Sequence, residues 1–286
     1  MEAAGTRFVS YVRSDSKFKV WLLSDLHLMN KNCAIKEIKS DIKKIQKDPH
    51  SIWIGGGDYV DYIGYTDKRF DPDSVSEDVS VSDLGQLGQR GIELCSEIFF
   101  PIKEKCLGLL LGNHEKKYQL KNEQEDLHDR LCDNLEIRNL GYSCLIDLSF
   151  IKNKEWASGL IPQEIEEPDG PKETFRIFAH HGAGYAQTPG GKMNRLIQFM
   201  NSFRADIYFC GHVHDKIARR EPQLGANTLC NKIISHDRLG VISGSYLKTY
   251  EEGTCSYGEQ RGYRPTSLGG IYIEIKPDNR ELSAKI

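Results

Sequence analysis

The sequence predicts an α/β (α+β) fold in which two mixed β-sheets pack as a sandwich flanked by helices. Short apolar runs alternate along the chain with stretches of helical spacing, as in sheets whose strands are connected through helices. Two other runs, 142–151 and 270–275, alternate apolar and polar residues, as half-buried strands do. We expect these two at a sheet edge or in a second sheet. A sandwich accommodates both kinds of strand better than a simple doubly wound sheet does.

Six apolar runs are the main strand candidates, and because they do not alternate in polarity we expect them to be buried on both faces. They cover residues 18–23, 51–54, 106–111, 174–179, 205–210 and 239–242. Four stretches between them have apolar residues at the spacing of an amphipathic helix. These predicted helices cover residues 34–46, 84–98, 123–131 and 193–203.

Length and composition predict one globular domain. The 286 residues lie within the range of a large single α/β unit, and 39% hydrophobic with 28% charged residues is a globular balance. We expect a single domain over residues 1–286, with surface insertions near 67–83 and 152–172 and a C-terminal extension after 215. No apolar run approaches the roughly 18 residues of a membrane helix, and the first residues do not resemble a secretory signal. We expect a cytoplasmic protein without a membrane partner.

Charge and cysteine content narrow the classes of function. The formal net charge of -3 lacks the basic excess that usually accompanies extensive contact with nucleic acid, so charge does not indicate such a partner. The eight cysteines include no Cys-x-x-Cys pair, and we interpret them as reduced thiols rather than a zinc–thiolate site. The sequence does not indicate the oligomeric state.

Potential metal ligands follow each of the first five apolar runs. These positions hold Asp25-Leu26-His27, Gly57-Asp58, Gly112-Asn113-His114-Glu115, His180-His181-Gly182 and Gly211-His212-Val213-His214. A single Asp or His after a strand is commonly a turn or helix-capping residue. Five in succession are not explained by local structure, and the carboxyl ends of strands in an α/β sheet line one crevice. We therefore expect these side chains to converge on one site.

The types of ligand in these motifs indicate the chemistry of the site. Imidazole, carboxylate and amide ligands without thiolate favour manganese, with iron or zinc as alternatives, whereas calcium would require more oxygen ligands. Two cations that share a bridging carboxylate would lie about 3.5–4 Å apart and would hold the attacking and leaving oxygens of an in-line displacement. This arrangement is typical of phosphoryl chemistry.

The ordered motifs, over roughly residues 18–215, closely resemble those of the calcineurin-like metallophosphoesterase superfamily. The wider pattern, including Asp67-Lys68-Arg69-Phe70 and Thr188-Pro189-Gly190-Gly191-Lys192, resembles compact members from bacteriophages and bacteria. The resemblance implies the fold expected above, two divalent metal ions, and hydrolysis of phosphate mono- or diesters by a metal-bound hydroxide. It also implies a metal-ligand set: Asp25, His27 and His214 for one ion, Asp58 as the bridge, and Asn113, His212 and either His180 or His181 for the other.

Two further roles are predicted for residues outside this ligand set. By the resemblance, His114 would contact the phosphate or protonate the leaving oxygen, as a general acid near neutral pH does. Lys68 and Arg69 lie in a charged loop shortly after Asp58, and their cations would hold substrate oxygens if the loop folds over the site. A solvated charge cluster explains the same residues equally well.

Three alternative functions are consistent with the same motifs. A Ser/Thr protein phosphatase shares the motifs around Asp58 and His114, but that branch has arginines at the positions of Tyr62 and Leu111. A DNA or RNA nuclease of the same superfamily is a second alternative, although only about 70 residues follow His214 for a nucleic-acid-capping domain. A non-catalytic scaffold is the least favoured, because no ligand position has lost its ligand.

Overall fold

A computed structural model describes the chain except for residues 66, 68–69, 123–125, 154–156, 164, 166–167, 185 and 254. The described part contains twelve strands and six helices, besides short 3-10 turns. The strands are β1 (Glu2–Tyr11), β2 (Phe18–Leu23), β3 (Ser51–Gly55), β4 (Cys106–Leu109), β5 (Ser143–Lys152), β6 (Gly159–Leu160), β7 (Lys172–His180), β8 (Ile207–Cys210), β9 (Ile217–Ala226), β10 (Ile233–Ile242), β11 (Ile271–Lys276) and β12 (Glu281–Lys285). The helices are α1 (Ile35–Lys47), α2 (Leu87–Phe99), α3 (Asn113–Asn122), α4 (Leu127–Leu135), α5 (Pro189–Ser202) and α6 (Tyr257–Gln260).

The strands form two mixed sheets. One sheet has seven strands in the order β6-β1-β5-β7-β8-β10-β9, and the other has five in the order β12-β11-β2-β3-β4. Strands β2 and β3 are parallel, as are β7 and β8, whereas β11 runs antiparallel to β2. The carboxyl ends of β2 and β3 therefore point to one edge of their sheet, and those of β7 and β8 to one edge of theirs.

The two sheets enclose the main hydrophobic core. Val20 and Ile54 of the five-stranded sheet belong to one buried cluster with Phe175 and Ile177 of the seven-stranded sheet. Burying a side chain of this size contributes roughly 1.5–3 kcal/mol. Sheet-on-sheet packing therefore fixes how the two sets of strand ends approach each other.

Helices cover the outer faces of both sheets. Helices α1, α2 and α4 pack on the five-stranded sheet, where Trp53 lies among Ile38 and Ile92. Helix α5 packs on the seven-stranded sheet through Leu196 and Met200. The layers run helix, sheet, sheet, helix, which confirms the predicted sandwich. No helix in the described part of the chain is long and apolar enough to cross a membrane.

All six main strand predictions are confirmed, and the two further strands lie inside the sheets rather than at their edges. Strand β5 was expected at an edge or in a second sheet, and it pairs with β1 on one side and β7 on the other. Strand β11 likewise lies between β2 and β12. Each alternates in polarity because only one of its faces meets the opposing sheet. The segment after residue 215, predicted to be an extension, contributes β11 to the interior of the five-stranded sheet.

Two helices begin at residues other than the predicted ones, because a capping residue fixes where each helix starts. Helix α5 was predicted to start at residue 193, but it starts at Pro189, where the side chain of Thr188 accepts a hydrogen bond from the Gly191 amide. Helix α4 was predicted at 123–131 and begins at Leu127, after the cap residue Asp126. Residues 123–125 of that prediction lie outside the described residues.

Candidate metal centre

The predicted ligands lie on loops at the carboxyl ends of five strands. Asp25 and His27 follow β2, Asp58 follows β3, and Asn113 begins the helix after β4. His181 follows β7, and the Gly211–His214 loop follows β8. The structure thus brings residues from both sheets to one place, as the spacing of the motifs predicts.

Five of these ligand positions have left-handed backbone conformations. The φ angles are 56° at Asp25, 50° at His27, 52° at Asp58, 70° at His212 and 48° at His214. Such conformations cost on the order of 1–3 kcal/mol each and persist only where surrounding contacts enforce them. Here the backbone amide of Asp25 donates to Gly57 O at 2.9 Å, and that of His27 donates to Asp58 O at 3.1 Å. The loops after β2 and β3 therefore hold each other in place.

One ligand group consists of Asp25, His27 and His214. His27 Nε2 lies 3.2 Å from His214 Nε2, and His214 Nε2 lies 3.1 Å from Asp25 Oδ1. The ligand atoms of the three residues lie within 4.8 Å of one another. Two donors that share an ion at about 2.1 Å are roughly 3.0–3.4 Å apart. The spacing of these atoms therefore fits a common cation.

A second ligand group consists of Asp25, Asp58, His181 and His212, again within 4.8 Å of one another. His181 Nε2 lies 3.4 Å from Asp58 Oδ2 and 3.3 Å from Asn113 Oδ1. The side chain of Asn113 therefore reaches this group as the sequence predicts. Asp58, the predicted bridge, belongs to this group alone, whereas Asp25 belongs to both groups.

The structure distinguishes between the two adjacent histidines. His181 is fully buried, and its Nδ1 lies 2.7 Å from Gly56 O. A carbonyl oxygen only accepts, so Nδ1 carries the hydrogen and Nε2 is left to act as a ligand. His180, the alternative ligand, lies outside both groups: its Nδ1 accepts from the Gly182 amide, and its ring stacks on Phe199. Successive residues leave a strand on opposite faces, so only His181 reaches the site.

Glu115 supports the loop that carries Asp58. Its carboxylate accepts from the backbone amides of Asp58 at 3.1 Å, Tyr59 at 2.7 Å and Val60 at 3.3 Å. Burial and the charge of Asp58 raise the pKa of Glu115 to about 7. A glycine is also required in this loop, because a β-carbon on Gly57, whose φ is +89°, would lie 2.7 Å from His181 Nδ1.

Asp61 is a site residue that the sequence analysis did not single out. Its Oδ1 lies 3.2 Å from His27 Nδ1 and 3.1 Å from His114 Nδ1, and its Oδ2 accepts from Asn30 Nδ2 at 2.7 Å. Burial opposes ionisation, but the hydrogen bonds to the two histidines lower the pKa of Asp61. The only signal in the sequence was its position three residues after Asp58.

His114 lies outside the two groups that share Asp25, and with His27 and Asp61 it forms a third set of possible ligand atoms within 4.8 Å of one another. Its Nδ1 lies 2.8 Å from the backbone oxygen of Asp61 and therefore donates to it, which leaves Nε2 available to the cleft. Burial lowers the pKa of His114, but the charge of Asp58 and the contacts with Asp61 outweigh burial and raise it to about 10. The imidazole therefore holds a proton in the absence of other cations.

The chain matches one known protein family over the region that contains all the ligand motifs. A family model described as calcineurin-like phosphoesterase matches residues 18–216. The chain belongs to the calcineurin-like phosphoesterase family. No curated protein matches the chain in sequence.

Several solved structures are distantly similar to this chain. A metallophosphoesterase from Sphaerobacter thermophilus is 13% identical, with a match that covers 93% of this chain and 87% of that one at a TM-score of 0.36. A predicted phosphoesterase from Streptococcus pneumoniae TIGR4 is 10% identical, with coverages of 94% and 97% and a TM-score of 0.35. A double mutant of Vps29 from Entamoeba histolytica is 10% identical, with coverages of 94% and 98% and a TM-score of 0.38.

The charges of this site fit bound cations. Burial raises the pKa of Asp25, but the hydrogen bond and charge of His214 lower it to about 2. Burial opposes ionisation of Asp58 as well, yet the charges of His181 and His114 hold its pKa well below the usual range. Burial lowers the pKa of His181, and Asp58 raises it to about 9. Protonated imidazoles thus compensate buried carboxylates, and divalent cations would replace those protons.

The site opens into a cleft of about 710 Å³. His27, Asp58, Asn113, His114 and the His212–His214 loop lie at its base, and residues of the 61–87 segment and the 247–266 segment line its walls. Lys68 and Arg69, predicted to contact substrate, lie outside the described residues. The cleft is large enough for an organic phosphate rather than inorganic phosphate alone, since pockets of about 300–1,000 Å³ hold drug-sized ligands.

Proposed function

We propose that this protein is a phosphoesterase that requires two divalent metal ions, most favourably manganese, with iron or zinc as alternatives. The observation that supports the proposal is the pair of adjacent ligand groups that share Asp25, next to an imidazole that belongs to neither. His27 and His214 complete one group, and Asp58, Asn113, His181 and His212 complete the other. Cations bound there would polarise a phosphate ester and activate water for in-line attack.

The protein's own side chains supply orientation and proton transfer. Asp61 holds the imidazoles of His27 and His114 through their Nδ1 atoms, so that each Nε2 faces the site. His181 is oriented by the Gly56 carbonyl in the same way. His114 Nε2 then protonates the leaving oxygen as the ester bond breaks, and Asp61 stabilises the charged imidazole beforehand.

The residues around Asp61 distinguish this site from that of the protein phosphatases. Tyr62 stands where that branch has a phosphate-binding arginine, and its ring is buried and stacks on Tyr118 with centroids 4.9 Å apart. Leu111 stands at the second arginine position. Neither position offers a cation to a phosphate group, which supports a general phosphoesterase over a Ser/Thr protein phosphatase.

Chelation followed by metal replacement tests the proposal. Protein stripped with a chelator should not hydrolyse p-nitrophenyl phosphate or its bis ester, and manganese should restore turnover best. Asp58→Asn should lower metal content and activity together, because it removes charge next to both groups. His180→Asn is the matched control, since His180 lies outside them. Full turnover by the chelated protein, or wild-type metal content in Asp58→Asn, would refute the proposal.

A further inference from the structure

The carboxylate of Asp25, which both ligand groups share, has two oxygens with different surroundings. Asp25 Oδ1 lies 3.1 Å from His214 Nε2, on the side of the metal ligands. Asp25 Oδ2 accepts from the Ser24 hydroxyl at 2.5 Å and from the backbone amide of His212 at 2.9 Å. A carboxylate oxygen has about two lone-pair sites, so these two donors occupy those of Oδ2. Oδ1 is therefore the oxygen that is left to face the cations.

The Ser24 hydroxyl lies where loops from the two sheets meet. Ser24 is fully buried. Gly56, which follows β3, and Gly211, which follows β8, both leave room for the hydroxyl, because a β-carbon at either position would overlap Ser24 Oγ. One glycine follows the five-stranded sheet and the other follows the seven-stranded sheet. Since neither sheet forms this niche alone, the packing of the two sheets places the hydroxyl against Asp25.

A second hydroxyl holds the backbone of Asp25. Ser245, which is also fully buried, donates from Oγ to Asp25 O at 3.0 Å, and the Tyr246 amide donates to the same oxygen at 2.9 Å. Ser245 Oγ is itself oriented by the Leu247 amide, which donates to it at 3.0 Å. The φ angle of 56° at Asp25 is a conformation that persists only where surrounding contacts enforce it. These hydrogen bonds therefore hold the turn that carries the shared carboxylate.

We propose that Ser24 and Ser245 are positioning residues for Asp25 and that they set the affinity of the site for metal. Ser24 fixes which carboxylate oxygen faces the cations, and Ser245 fixes the backbone turn. Both act through Asp25, because their hydrogen bonds end on its atoms. This inference rests on the proposed two-metal function. Ser245 lies beyond residues 18–216, which match the family, so part of this support comes from the C-terminal part of the chain.

Manganese binding by serine variants tests the inference. The dissociation constant is measured by calorimetry on metal-stripped protein. Ser24→Ala should weaken binding by about 10- to 100-fold, as loss of a partner behind a metal ligand typically does. Ser245→Ala should weaken it by about 10-fold, because the Tyr246 amide still donates to the same carbonyl. Ser243→Ala is the matched control, since Ser243 is equally buried in the same segment but its hydroxyl donates to Leu22 O at 3.3 Å.

A double variant and the kinetics at high metal separate positioning from a general loss of structure. Ser24→Ala with Ser245→Ala should lose less affinity than the product of the two single losses, because the second change acts on an Asp25 that is already released. At saturating manganese, kcat of each single variant should return towards the wild-type value. Ser245→Ala keeps the inference testable should Ser24→Ala fail to fold, since it leaves the niche between the sheets intact.

The outcomes distinguish this inference from the proposed function. Wild-type manganese affinity in both single variants, an equal loss in Ser243→Ala, or fully multiplicative losses in the double variant would overturn the inference and leave the phosphoesterase function intact. Manganese binding that depends on Ser24 and Ser245, without hydrolysis of p-nitrophenyl phosphate or its bis ester by the wild-type protein, would overturn the phosphoesterase function and support the positioning roles.

Discussion

Replacement of His114 by alanine should impair chemistry while leaving the metal ligands in place. The backbone amide of His114 donates to Asp58 Oδ1 at 2.8 Å, and alanine retains this hydrogen bond. The side chain belongs to neither of the two ligand groups that share Asp25. What is lost is the proton donor, and general acids typically contribute about 10²- to 10⁴-fold to rate. We expect kcat to fall by a factor in that range, with less change in KM.

The dependence on leaving group is the sharper part of this prediction. An alkyl ester releases an alkoxide that needs a proton, whereas p-nitrophenolate leaves without one, so His114→Ala should slow the alkyl ester far more. The assay compares kcat for both esters in wild type, His114→Ala and the control His180→Ala, with metal content measured for each protein. Equal losses on both esters, or loss of metal from His114→Ala, would refute the role as an acid and indicate a phosphate contact or a ligand.

Three further outcomes are expected. Asp61→Asn should lower kcat by roughly 10- to 100-fold, as removal of partners behind metal ligands typically does, and a wild-type kcat would contradict its orienting role. Tyr246→Phe should reduce the free energy of unfolding in urea by about 1–3 kcal/mol, because it removes a donor from the buried carboxylate of Asp41 at 2.8 Å. Burial lowers the pKa of His128 below its ordinary value of 6.5. The neutral imidazole therefore contributes fully to the free energy of unfolding above about pH 6.5, and this contribution is lost as pH falls. His128→Phe should therefore lose less stability than wild type between pH 7.5 and 5.5.

The position of strand β2 could be predicted because it depends on local sequence. Strand β2 begins and ends where the apolar run does, at Phe18 and Leu23. The choice between His180 and His181 could also have been made from the alternation of side chains along the strand. Phe178 belongs to the outer cluster under α5 and Ala179 to the core between the sheets, so alternation predicts that His181 points inward.

Other features depend on contacts between distant segments. Strand β1 was not predicted, because residues 2–6 include no large apolar side chain and its pairing with β5 comes from a segment more than 130 residues away. Strand β9 is mostly exposed and is held by β10, so its sequence lacks an apolar run. Asp61 can be recognised as a site residue only in the structure, where His27 and His114 approach it from two different loops.

Titration of metal-free protein with manganese tests the central claim most directly. Hydrolysis of an aryl phosphate is measured as a function of the number of equivalents bound, as determined by elemental analysis of the same samples. We predict no activity without metal and a plateau at about two equivalents per chain, since two ligand groups share Asp25. Full activity without bound metal, or a plateau at one equivalent, would contradict the two-metal account.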